Sequence, residues 1–201
     1  MTAAPLIPER PTLERLRAAA AGCQACPLWK LGTQTVFGEG RPRARLLFVG
    51  EQPGDQEDRA GRPFVGPAGR LFDEALTAAG IAREEAYVTN AVKHFKWEPA
   101  GKRRLHKKPN AREIAACRPW LEAEIAVVQP EVVVALGATA AQSLMGPEFR
   151  VTRDRGKLLK VAWASGFLAT LHPSAILRMR SGEREAGLQG LIADLRVLAV
   201  S

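Results

Sequence analysis

Arg45-Leu-Leu-Phe-Val-Gly50, followed at once by Glu51-Gln-Pro-Gly-Asp55, is the stretch on which the fold turns. A continuous apolar run of this length reads as a strand buried on both faces, the kind found inside parallel sheets. Pro53 and Gly54 then force a loop. After Gly66-Pro67 the spacing predicts an amphipathic helix from Ala68 to Ala79, with Gly80 as its C-cap. Working outward, the unit repeats. Tyr87–Val92 reads as a strand, Lys93–Pro109 as an inserted basic loop, and Ala111–Val128 as a helix with Asn110 as its N-cap. Val132–Leu136 is a third strand, and Gly137 and Thr139 open the next helix. Strands are expected at Leu158–Ala164 and Phe167–Leu171, then His172-Pro-Ser174 leading into a helix, and a last helix from Arg184 to Leu198. Residues 1–30 read as an N-terminal arm with a helix from Thr12 to Ala21. Strands alternating with helices predict an α/β fold, one three-layer α/β/α domain over residues 1–201 with a mostly parallel central sheet. Ligands of such sheets sit beyond the carboxyl ends of the strands. Glu51–Asp55, Asn90 and His172 all follow strand ends, so they are expected to share one cleft.

The 201 residues carry a formal net charge of +8, which points to a polyanionic partner. The surplus is concentrated: Lys93 to Lys108 holds seven Lys or Arg residues against one acid, Glu98. No apolar run approaches the roughly 20 residues of a membrane helix. Charges stand in the first residues where a signal peptide has its apolar segment, so the expected compartment is the bacterial cytoplasm. Three cysteines, Cys23, Cys26 and Cys117, argue against a disulfide framework and ask for a fourth ligand.

Four motifs carry a resemblance. Gly50-Glu-Gln-Pro-Gly-Asp-Gln-Glu-Asp58, Phe64 within Arg62-Pro-Phe-Val-Gly-Pro-Ala-Gly69, Thr89-Asn-Ala-Val92 and Leu171-His-Pro-Ser174 together resemble the iron–sulfur family 4 uracil-DNA glycosylases, over about Cys23 to Leu198. Two features resemble the UdgX branch of that family: Gln52, where ordinary family 4 enzymes usually carry Ala, and Lys102-Arg-Arg-Leu-His106, similar to a Lys-Arg-Arg-Ile-His signature. The likeness implies a uracil-DNA glycosylase fold, uracil-containing DNA as partner with single strands accepted, free uracil as product, and a monomer. It further implies that His106 becomes bonded to C1′ of the abasic sugar, ending turnover.

Chemistry fits these assignments, and each has a plainer reading beside it. Uracil must leave the helix at an unstacking cost of a few kcal/mol. Phe64 stacking on the flipped ring offsets that cost, since base–aromatic stacking contributes roughly 1–3 kcal/mol; otherwise Phe64 is core. The Asn90 amide matches the N3–H donor and O4 acceptor of uracil and opposes cytosine; otherwise it caps a strand end. His172, donating to uracil O2, stabilises the departing base, or is a structural histidine. Ser174 and the helix start suit a DNA phosphate.

Resemblance pairs Glu51 with the loop histidine; Asp55 shapes the pocket or positions water; Gln52 contacts the base or fixes the loop. A neutral His106 held by the anomeric carbon captures it before water does, with Arg104 locking the loop shut. The plainer reading makes Lys102–Lys108 a solvated run of phosphate contacts. Three cysteines match those of the family's [4Fe–4S] cluster, and His94 stands where the other is expected. Cys23, Cys26, His94 and Cys117 are therefore the expected ligands, with a Cys₃His zinc site as the alternative. An ordinary multiple-turnover glycosylase, or a non-catalytic metal-stapled nucleic-acid-binding module, are the competing functions.

Overall fold

A computed structural model describes residues 1–199 of the chain. A short 3₁₀ turn at Ala4–Leu6 precedes helix α1 (Leu13–Ala20), which Thr12 caps through its side chain onto the Arg15 N–H. Strand β1 (Leu46–Gly50) leads to helix α2 (Asp55–Ala60) and helix α3 (Pro67–Ala79), closed by Gly80 in the left-handed conformation. Strand β2 (Ala86–Asn90) follows, then β3 (Trp97–Ala100), β4 (Arg103–His106) and helix α4 (Ala111–Val128). Asn110 and Glu113 form a reciprocal capping box at the start of α4. Strand β5 (Val132–Leu136), helices α5 (Ala138–Met145) and α6 (Val151–Asp154), strands β6 (Leu159–Val161) and β7 (Ala164–Thr170), and helices α7 (Pro173–Leu177) and α8 (Ser181–Arg196) complete the order.

The central sheet runs β2-β1-β5-β7-β6, parallel throughout except for β6. Alternation along the strands builds the layers. Leu46, Phe48, Val88, Val134 and Leu168 pack with α3, α7 and α8 on one face. Leu47, Val49, Tyr87, Val133 and Phe167 pack with α4 and α5 on the other. A third apolar cluster joins α1, the arm and the outer side of α4 around Trp120. The expected α/β sheet with helices on both faces is the fold observed, and no helix among the described residues is long and apolar enough to cross a membrane.

Helix α6 is not among the expected elements, and the strand expected at Leu158–Ala164 stops at Val161, Ala164 already opening β7; two further elements differ more. The basic insertion is not a plain loop: β3 and β4 pair as an antiparallel hairpin, Trp97 opposite His106 and Pro99 opposite Arg104, turning at Gly101 with φ 61°. Lys and Arg here leave no apolar alternation to read, so pairing is written in cross-strand contacts. Residues 55–60, wholly polar apart from Ala60, form α2, held by Glu57, whose carboxylate accepts from the Gly54 and Gly66 N–H groups at 3.1 and 2.7 Å.

Candidate active site

The carboxyl ends of β1, β2 and β7 deliver Glu51, Asn90 and His172 to one end of the sheet. Gly50 pairs in register with Asn90, and a side chain at Gly50 would put its Cβ 2.3 Å from Asn90 Oδ1 and 3.0 Å from Phe64 Cζ. Glycine is thus required there by close approach. Among the described residues the Asn90 amide has no side-chain hydrogen bond, although the residue is only 3% exposed. Its backbone carbonyl is held by Lys93 Nζ at 2.7 Å. That ammonium also bonds Thr89 and Glu124, and Glu124 accepts from Tyr87 and the Gly38 N–H, so a completely buried ion pair lies beneath the strand end.

Phe64 is bent into φ 57° and buried, its ring stacked on His172 at 6.3 Å and packed on Phe72 at 5.3 Å. It is both core residue and pocket wall. His172 caps α7, its Nδ1 accepting from the Ser174 N–H at 3.0 Å. An accepting Nδ1 puts the ring hydrogen on Nε2, leaving a neutral donor. Burial pushes the His172 pKa down to about 4, with the Arg178 and His106 charges acting in the same direction. Ser174 Oγ accepts from Arg178 at 3.4 Å. Sequence reasoning missed Arg178; a lone arginine one turn beyond His-Pro-Ser carries no pattern, and only the fold aims its charge at both histidines.

The hairpin carries the second half of the site. His106 Nε2 lies 3.5 Å from Glu51 Oε1, and the imidazole ring sits 6.1 Å from Phe95. Burial against the pocket lowers the His106 pKa, Glu51 opposing and Arg178 assisting, which favours the neutral ring. Arg104, on the same face of β4 as His106, locks the hairpin down. It bonds Asp55, Asp58 and Thr33, and its guanidinium lies over Phe95 and Trp97 at 5.3 and 5.5 Å. The structure gives Asp55 to this clamp and to Arg59, which hold its pKa below the usual range against desolvation, the largest influence on it. Asp58, fully buried and accepting from Thr33, is a member that sequence reading missed. Gln52 resolves toward the loop: its amide donates to the Lys96 and Lys107 carbonyls at 3.2 and 3.0 Å and accepts from the Lys96 N–H at 3.1 Å. It therefore staples both legs of the hairpin.

Cys23, Cys26 and Cys117 are buried, unoxidised and share the apolar cluster between arm and α4. Trp120 Nε1 donates to Cys23 Sγ at 3.3 Å and the Lys93 N–H to Cys117 Sγ at 3.2 Å. Burial pushes the Cys117 thiol up to about 12, Lys93 opposing and the other two sulfurs adding. Soft, dry sulfurs with N–H donors on them are the donor chemistry that suits cluster thiolates. The expected fourth ligand departs from this: His94 Nε2 is hydrogen-bonded to Thr35 Oγ1 at 3.0 Å. Among the described residues no three His, Cys, Asp or Glu side chains form a group that could hold one metal ion. The three thiols carry the donor chemistry of cluster ligands, while the His94 ring is engaged with Thr35.

A parallel sheet that brings an amide, a carboxylate and a histidine to one end, beside a basic hairpin, is the arrangement in which a base-excising DNA glycosylase would hold its catalytic groups. The chain belongs to the uracil DNA glycosylase superfamily, whose profile matches residues 37–196. It is 44% identical over 164 residues to a type-4 uracil-DNA glycosylase of Thermotoga maritima, covering 80% of this chain and 81% of that one. It is 36% identical over 174 residues to a type-4 uracil-DNA glycosylase of Sulfurisphaera tokodaii, covering 83% and 76%. A solved structure of wild-type Pedobacter heparinus SMUG2 shares the fold with TM-score 0.53 at 15% identity, over 79% of this chain and 77% of that one.

Proposed function

We propose that this uracil-DNA glycosylase excises uracil and then captures the abasic sugar covalently on His106, so that each molecule reacts once. The observation that carries the reading is His106 Nε2 at 3.5 Å from Glu51 Oε1, on a hairpin clamped by Arg104 beside the base pocket. A flipped uracil stacks on Phe64, and the Asn90 amide reads its N3–H and O4. The C1′–N1 bond breaks with its electron pair leaving on the base, and His172 Nε2–H donates to the O2 where charge gathers. A ring nitrogen of neutral His106 then supplies its lone pair to C1′. The proton on the other ring nitrogen passes to a carboxylate, and Glu51 is the one in reach. The products are an N-glycosidic bond to imidazole and the uracil anion, which takes a proton from solvent water to become free uracil.

Basic residues of the hairpin and Ser174 with Arg178 serve as phosphate contacts on a single strand; the enzyme acts as a monomer in the cytoplasm. A [4Fe–4S] cluster would be held by Cys23, Cys26 and Cys117, with His94 as the fourth ligand only once its ring gives up Thr35 and turns toward them. When bound it supplies structural tethering, tying the arm to α4 and to the segment after β2.

The test is a denaturing gel of end-labelled uracil-containing single-stranded DNA. Wild type is expected to give a retarded, protein-bound band. His106→Ser is expected to lose that band and release uracil with repeated turnover, because water now reaches C1′. Free abasic DNA from the wild-type protein would overturn capture and leave the ordinary multiple-turnover enzyme.

A further inference from the structure

Glu51 presents two carboxylate oxygens, and the structure divides them. Oε1 faces His106, while Oε2 accepts a hydrogen bond from the Thr139 hydroxyl. Thr139 is 6% exposed and sits in the first turn of α5, directly after Gly137. Gly137, at φ 87°, turns the chain out of β5, bonds Thr170 of β7 through its N–H at 2.9 Å, and stands where a Cβ would lie 3.0 Å from that of His172. The threonine is therefore fixed to the same strand ends that carry the catalytic groups. Among the described residues it is the only side chain donating a hydrogen bond to Glu51.

A glutamate side chain has three rotatable bonds, and that of Glu51 is 21% exposed. Left alone it would swing between water and the pocket. A hydroxyl facing a carboxylate can act only as donor, and such charge-assisted bonds are short and directional. With Oε2 engaged, Oε1 remains, aimed at the imidazole.

We propose that Thr139 is a positioning residue for sugar capture: its hydroxyl fixes the Glu51 rotamer so that the free oxygen takes the proton His106 sheds on bonding to C1′. The inference rests on the capture reading above. Thr139 touches neither base nor sugar; it acts through Glu51. The Glu51 charge persists without it, so its effect falls on proton acceptance at one atom more than on departure of the base.

Single-turnover reactions with uracil-containing single-stranded DNA separate the two steps, uracil release being followed by chromatography and capture by denaturing gel. Thr139→Val keeps the shape and removes the donor; Thr139→Ser keeps the donor. Thr139→Val is expected to slow capture about ten- to a hundredfold, the range for a hydrogen bond to a charged group, while release falls much less. Abasic DNA accumulates meanwhile, and Thr139→Ser restores capture to within a few-fold of wild type. Capture by Thr139→Val at the wild-type rate overturns the proposal, as does an equal loss in both steps or a failure of serine to rescue. If wild type itself forms no bond to DNA, the capture reading falls and this one with it, an outcome distinct from the other three.

Discussion

Replacing Arg104 by alanine tests the clamp on which the position of His106 depends. Asp58 is fully buried and lies 2.6 Å from Arg104 Nη1, so the substitution strands a buried carboxylate. Breaking one side of such a pair costs about 3–5 kcal/mol. Asp58 keeps the Thr33 N–H at 2.9 Å and the Thr33 hydroxyl at 2.7 Å, which places the cost at the lower end, about 3 kcal/mol. Losing the Phe95 and Trp97 ring contacts adds about 0.5–1 kcal/mol each. The Asp55 arm is 39% exposed and adds little. The hairpin keeps the Gln52 staple, the Lys96–Glu113 ion pair and the Trp97 bond to the Leu31 carbonyl, so it loosens without being lost. At 1.4 kcal/mol per tenfold, release of part of this energy as hairpin opening is expected to slow the proposed capture about a hundredfold. Rapid-quench reactions resolved on denaturing gels measure that rate. Global stability is separated by a companion variant: Arg104→Ala with Asp58→Asn removes the stranded charge, recovering thermal stability but not capture. Crosslinking by Arg104→Ala within about threefold of wild type would refute the clamp.

Two further outcomes follow from the site. Lys93→Met leaves Glu124 charged and completely buried, at a cost of about 3–5 kcal/mol or roughly 6–20 °C in Tm for a chain of this size; calorimetry showing a drop under about 2 °C would contradict a charged pair there. His172 has a folded-state pKa of about 4, below the unfolded value of about 6.5. The unfolded chain therefore binds more protons between those values, so this stability contribution is complete above about pH 6.5 and is lost as pH falls to about 4. Wild type should lose more Tm than His172→Asn between pH 6.5 and 4, and parallel curves for the two would count against the buried neutral ring.

The sheet was legible because its strands are uninterrupted apolar runs, and Ala111–Val128 matches its predicted limits because Asn110 and Glu113 announce the helix start. The placement of Glu51, Asn90 and His172 at one end of the sheet was legible for the same reason: a strand end marks its own polar residue. The hairpin and α2 were not, since Arg103–His106, apart from Leu105, and Asp55–Ala60, apart from Ala60, are polar, and their shape comes from partners distant in sequence. Gln52 could be assigned to base or loop from its position, and its bonds to the Lys96 and Lys107 backbone are invisible in the sequence. Thr139, Asp58 and Arg178 come from a helix start, a helix interior and a helix C-cap, where no local pattern separates a site residue from a solvated one. His94 was reached by motif position alone, and its hydrogen bond to Thr35 is nowhere in the sequence pattern.

Strand β2 lies at the margin of the sheet, where unpaired backbone groups invite another chain to add itself. Residue 39 fills that vacancy. Glu39 exchanges both backbone hydrogen bonds with Val88 at 2.8 Å, and its carboxylate is gripped by Arg62. That bridge of two bonds occupies the middle of the edge, at the position where a neighbouring molecule's strand would otherwise pair.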